Sequence, residues 1–165
     1  VDLDQLRLAL QAADPARAVL AALIAFHGLP PRQLRTLPLI ALRDGRLHLP
    51  GRTIVLADPV RTRLTTYLAH RNRRWPGTAN PHLFLNHRTA CLLKPVRADW
   101  ITLTLGMSAQ AVLEDRILYE ALATRGDIRR LCDLFGLSVE GAQRYTDTLD
   151  QPAIAHLRQQ PPQLP

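Results

Sequence analysis

Apolar residues recur along this chain with two different periods, and the change between them separates helical from sheet-forming stretches. From Asp14 onward, Val19, Leu20, Leu23, Ile24 and Phe26 follow at helical spacing. Asp14-Pro15 reads as an N-cap with proline at the first helical position, and Gly28 ends the run. Pro30-Pro31 opens a second short helix, PRQLRTL. Between Leu39 and Leu56 the texture changes to short apolar runs broken by turns: LIAL, RDG, RLHLP, GR and TIVLA. Asp44-Gly45 and Pro50-Gly51 stand at hairpin spacing, which predicts a small three-stranded antiparallel sheet.

Asp58-Pro59 repeats the cap-and-proline device and starts a helix through VRTRLTTYLAHRNRRW. WPGTANPH reads as a loop, LFLN as a short strand or extended segment, and KPVRADWITLTLG as a helix. After Gly106 the chain is helical almost to Asp150. SAQAVLEDRILYEALATRG is capped by Ser108 and ends at Gly126, DIRRLCDLFG follows from Asp127, and SVEGAQRYTDTL from Ser138. No internal repeat is visible. Helices, then a small sheet, then helices again predict an α+β fold, mostly α-helical. The expected division is an upstream segment or linker over 1–13, one domain over 14–150, and a Pro/Gln-rich tail over 151–165.

At 47% hydrophobic, 165 residues can bury a real core. No run approaches the roughly 18 apolar residues of a membrane span; the most apolar stretch, Ala16 to Phe26, contains Arg17. With no signal-peptide pattern and a start at Val1, the chain reads as a fragment of a longer protein, or a trimmed piece, from the cytoplasm. Cys91 and Cys132 match no metal spacing, and the six histidines form no ligand pair, so neither a metal nor a cofactor is expected. Charge changes the picture more. The net charge is +7, and the basic residues are arginines except for Lys94. Guanidinium forks suit bidentate phosphate contact, and a polyanion is the partner such an excess suggests, with double-stranded DNA the expected one. The helix after Asp58 carries Arg61, Arg63, Arg71, Arg73 and Arg74, a one-sign face for backbone phosphates or simply a solvated one.

Near the end, GDIRRLCDLFGLSVEGAQRYTDTL has the shape of a helix-turn-helix. Two short helices capped by Asp127 and Ser138 meet across a turn containing Gly136, with Leu131, Leu134 and Val139 expected in a shared core. The second helix would carry Gln143, Arg144 and Tyr145 toward DNA; an ordinary helical hairpin is the alternative.

The order of elements resembles the C-terminal catalytic domain of the tyrosine recombinase, or phage integrase, family over roughly residues 15–150. The final segment is similar to the family's run of glycine, a helix, "LLGH" and a "QRYTH"-like helix, which puts Tyr145 at the position of the DNA-cleaving nucleophile. LEDR resembles the family's His-x-x-Arg, putting Arg116 at the second phosphate-binding arginine. IAFHGLPPRQLRTL is similar to the helix that carries the first arginine, RDGRLHLPGRTIVL to the three-stranded sheet, and HLFLN to the segment beyond it. The resemblance implies that the helices surround the sheet and that a tyrosine attacks a phosphodiester held by arginines. It also implies a homo-oligomer on DNA if the tail reaches a neighbouring protomer rather than packing on its own domain.

Several positions depart from the pattern. The first arginine falls on Pro30 and its accompanying glutamate on Gln33. Arg32 is near, but two residues along a helix turn a side chain by about 200°. The histidine of His-x-x-Arg falls on Leu113, and that after the "LLG" glycine on Leu137. The hairpin lysine that protonates the leaving oxygen has no counterpart; Arg52 is the nearest cation, and a guanidinium does not readily give up a proton. Tyrosine, with a pKa of ~10, needs such neighbours, and each lost electrostatic contact of this kind typically costs ~10²–10³ in rate. The expectation is a DNA-binding domain of recombinase type with strand cleavage weakened or lost. Arg116 has a second reading, as an ion-pair partner of Glu114, Asp115 or Glu120, and Arg32 and Arg35 a second reading as surface charges. Tyr145 shares a helical stripe with Gly141 and Leu149, so partial burial is its alternative.

Overall fold

The computed structural model describes residues 2–149; the expectations for the tail over 151–165 lie outside the described residues. The chain forms two compact units, Val1–Val112 and Leu113–Pro165.

The first unit is built around α2 (Pro15–His27), in which every residue from Ala18 to Ile24 is buried. A helix apolar on all sides must be enclosed, and α1 (Leu3–Leu10), α4 (Asp58–Arg74) and α5 (Trp100–Leu105) pack on it. Its ends follow the sequence signals: the Asp14 carboxylate accepts from Ala16 N–H, and Gly28 takes the left-handed conformation (φ 59°) that closes a helix. α3 (Pro31–Thr36) is short and begins on the two prolines.

The sheet has order β1 (Leu42–Arg43), β2 (Arg46–Leu49), β3 (Arg52–Val55), all antiparallel. In β2 the inward residues Leu47 and Leu49 are buried. Leu39–Ala41, expected to enter the first strand, is instead a single 3₁₀ turn after Pro38. The helix after the sheet also differs at its start. Ala57, not Asp58, is the N-cap, and Asp58 is the first helical residue, paired with Arg61. His82 forms an isolated antiparallel bridge with Pro38, with Leu39 N–H donating to Pro81 O and Leu83 N–H to Leu37 O (each 2.8 Å), in place of a strand over LFLN. Before α5 the stretch 94–99, read as helical, is not helix.

The second unit contains most of α6 (Ala109–Ala123), with α7 (Ile128–Phe135) and α8 (Val139–Leu149), the last two packed on each other. Asp127 caps α7 through its carboxylate, and Gly136 (φ 64°) ends it. Ser138 Oγ accepts from Gly141 N–H at the start of α8. The expected shared core is corrected. Leu131 is buried, but Leu134 and Val139 are exposed; Phe135, Ala142 and Leu149 fill that role. Among the described residues, eight α-helices and a three-stranded antiparallel sheet give the α+β, mostly helical fold that the pattern predicted.

Candidate functional site

In the first unit, α3 sets the placement of Pro30, Pro31 and Arg32. Pro30 is its N-cap and Pro31 its first residue, and Arg32 on the following position is exposed. Arg35 is a tether, its Nε–H donating to Val96 O at 2.8 Å. Arg52, at the start of β3, is half-buried, and burial pulls its pKa down. Burial and the Arg52 charge together lower the pKa of His27, whose Nε2 accepts from Ala57 N–H at 3.2 Å.

The five arginines of α4 divide into three kinds. Arg71 fits neither the phosphate-contacting face expected for it nor the solvated one: it is 4% exposed, and its guanidinium donates to the carbonyls of Leu83, Asn80 and His82. Arg63 is also occupied internally, its Nε–H on Leu10 O (2.8 Å) and an Nη–H on Pro59 O. Arg61 pairs with Asp58. Arg73 and Arg74 point to solvent in the last turn, where a helix C-terminus favours cations. Asparagine 80 organises the loop that Arg71 holds: Asn80 Nδ2 donates to Thr89 O and Lys94 O, and Oδ1 accepts from His82 N–H.

In the second unit the central feature is a carboxylate that no motif announced. Glu120 Oε2 accepts from Arg116 Nη1 at 2.9 Å, and its Oε1 accepts from Arg130 Nε at 2.8 Å. The side chains of Glu120, Arg116 and Arg130 are 10%, 28% and 56% exposed. Burial alone would push the Glu120 carboxyl up, but hydrogen bonds and charge from Arg130 and Arg116 outweigh it and hold it below the usual value. The Arg116 guanidinium also stands over the Tyr119 and Phe135 rings, at 5.9 and 5.6 Å from their centroids. Of the two readings of Arg116, the ion pair with Glu120 is therefore present. Leu113, one turn earlier, is buried.

Tyr145 lies on α8, partly buried, and its phenol is harder to ionise than a free one. Burial is the main cause and the Glu114 charge adds to it, against a smaller opposing effect of Arg144. Gln143 and Arg144 are exposed on the same helix. Among the described residues no cluster of three metal-ligating side chains occurs, and no helix is long and apolar enough to cross a membrane.

The fold is that of a tyrosine recombinase catalytic domain. The crystal structure of XerA recombinase superposes with a TM-score of 0.69 at 18% identity, over 99% of this chain and 66% of that one. The XerH site-specific recombinase, in a post-cleavage complex with its palindromic difH substrate, superposes with a TM-score of 0.64 at 16% identity, over 94% of this chain and 51% of that one. The chain thus spans just under two thirds and about half of those two proteins. Neither a model of a known protein family nor a curated protein matches its sequence.

Glu120 and Arg130 were the residues that sequence reasoning did not single out as a site. The Arg116–Glu120 spacing of four was a legible signal. The tie from Arg130, ten residues on and beyond a turn, was not.

Proposed function

We propose that this chain is a DNA-binding domain of tyrosine recombinase type, acting in DNA recombination or integration, in which strand cleavage is weakened or lost. The observation that carries the second half is the environment of Tyr145. A phenol attacking phosphorus must shed its proton as the bond forms, and here burial and a nearby carboxylate oppose that loss. Arg116, the cation that would neutralise the phosphate, already shares its charge with Glu120. At Leu113 an apolar side chain stands where the resemblance puts a proton-carrying histidine. The first half is supported by the fold, the net charge of +7, and the exposed Arg73, Arg74 and Arg144. Arg32, Arg52 on the hairpin and Arg61 on α4 are retained as weaker contributors. DNA is the proposed partner, with a homo-oligomer formed on it.

The test is a nicked suicide duplex that traps a covalent protein–DNA link. Full-length protein is expected to bind the duplex but give adduct at trace levels, none of it in Tyr145→Phe. Abundant adduct from the wild type would overturn the proposed loss of cleavage.

A second reading, a sequence-reading helix-turn-helix regulator over 127–149, is favoured by one feature: α7 and α8 pack across a left-handed Gly136 with Gln143 and Arg144 exposed. It predicts that Arg144→Ala relaxes base preference in a footprint, whereas phosphate contact alone predicts uniform weakening.

A further inference from the structure

The Arg116–Glu120–Arg130 cluster has a property that neither an ordinary surface ion pair nor a lone phosphate-binding arginine shares. One carboxylate takes a single N–H from each of two guanidiniums, on opposite oxygens. A carboxylate that filled a guanidinium's fork would close it to other anions; these two contacts leave both forks open. Counted over the three side chains, the charge is one positive unit in excess, the complement of one phosphodiester. Asp127 adds a more distant negative charge to Arg130, but its carboxylate is committed to capping α7. The two arginines also differ in freedom. Arg116 is held between Glu120 and two aromatic rings, whereas Arg130 projects from α7 with more than half its side chain in solvent.

We infer that Arg116 and Arg130 together form a cradle for one DNA backbone phosphate, with Glu120 as the positioning residue that yokes them. The inference rests on the DNA-binding reading and adds Arg130 and Glu120 to it. Removing either arginine cancels the excess charge, since the other is then balanced by Glu120. The two therefore act on DNA as one unit.

Non-additivity is the signature to measure. Affinity for a fluorescently labelled mixed-sequence duplex is followed by anisotropy across a salt series, for the full chain and its variants. Arg130→Ala and Arg116→Met are each expected to make the slope of log affinity against log salt shallower by about 0.9, the value for one phosphate. The double variant leaves Glu120 unpaired, but the one phosphate contact is already gone in either single variant, so its slope should be no shallower than theirs. In a Glu120→Gln background the two losses should become additive, because the yoke is gone. Arg130 is exposed enough for its alanine variant to keep the fold, and a thermal melt of each protein checks that. An unchanged slope in Arg130→Ala, or additive losses in the presence of Glu120, would overturn the cradle while leaving DNA binding intact. No salt-dependent affinity in the wild type would overturn the DNA-binding reading and the cradle with it.

Discussion

Arg71 offers the sharpest quantitative test of how this chain uses its arginines. It sits on the helix whose five arginines looked interchangeable, yet it is buried and donates to three carbonyls of one loop. Leu83 O has a second donor in the Tyr67 hydroxyl, whereas Asn80 O and His82 O depend on the guanidinium. Replacing Arg71 with methionine keeps most of the apolar stem and removes the fork. Two carbonyls lose their donor at about 1–3 kcal/mol each, and relief of the buried charge returns part of that. The net expectation is a loss of about 3 kcal/mol. At roughly 4 °C per kcal/mol for a unit of this size, the melting temperature should fall by about 12 °C. Arg73→Met, two residues along and exposed, should stay within about 0.5 kcal/mol of wild type. The DNA assay should invert that ranking, with the salt slope falling for Arg73→Met and holding for Arg71→Met at a temperature where both are folded. Circular dichroism melts and anisotropy titrations give both quantities. An Arg71→Met protein that melts within about 2 °C of wild type would refute the reasoning.

Three further outcomes follow from the same structure. His27 has its pKa lowered from 6.5, so the fold favours the neutral ring: its contribution is complete above 6.5 and is lost as pH falls through the folded-state value. Melts between pH 4.5 and 7.5 should therefore show a decline on the acid side that His27→Gln flattens. The Tyr145 phenol should titrate above 10, and Glu114→Gln should bring it down, measured by NMR of ring-labelled tyrosine. Leu113→His, which puts a polar ring at a buried position, should cost about 2–5 kcal/mol in a denaturant melt without raising adduct yield on the suicide duplex.

Much of the architecture could be read because its signals are local. Asp14-Pro15 with Gly28, Asp127 with Gly136, and the two hairpin turns each act within a few residues, and each stands where the pattern put it. Where local signals compete, the reading slipped: at Asp58 the helix begins one residue early, because the aspartate pairs with Arg61 instead of capping. The site was less legible because charge in a sequence carries no address. Arg71 and Arg73 are two letters apart, and only the loop at 80–83 decides that one is buried and the other solvated. Glu120 was visible as a neighbour of Arg116, but its second partner comes from another helix.

A polar catalytic group and a core residue make opposite demands on the same position. A histidine that carries protons to a phosphate must stay hydrated or ligand-facing, and it contributes little to packing. Leucine at 113 is buried and contributes apolar area on every turn of the folding equilibrium, with or without DNA. The arginine at 116 meets both demands in part, pairing with Glu120 inside a half-buried cluster through a single N–H. In the first unit, Pro30-Pro31 stiffens the start of α3. The exposed arginines of α4 and α8 are in a different position, with their charge in solvent rather than in packing. Binding to a phosphate backbone needs only charge and placement, so on the proposed reading affinity for DNA does not depend on the groups that strand cleavage would need.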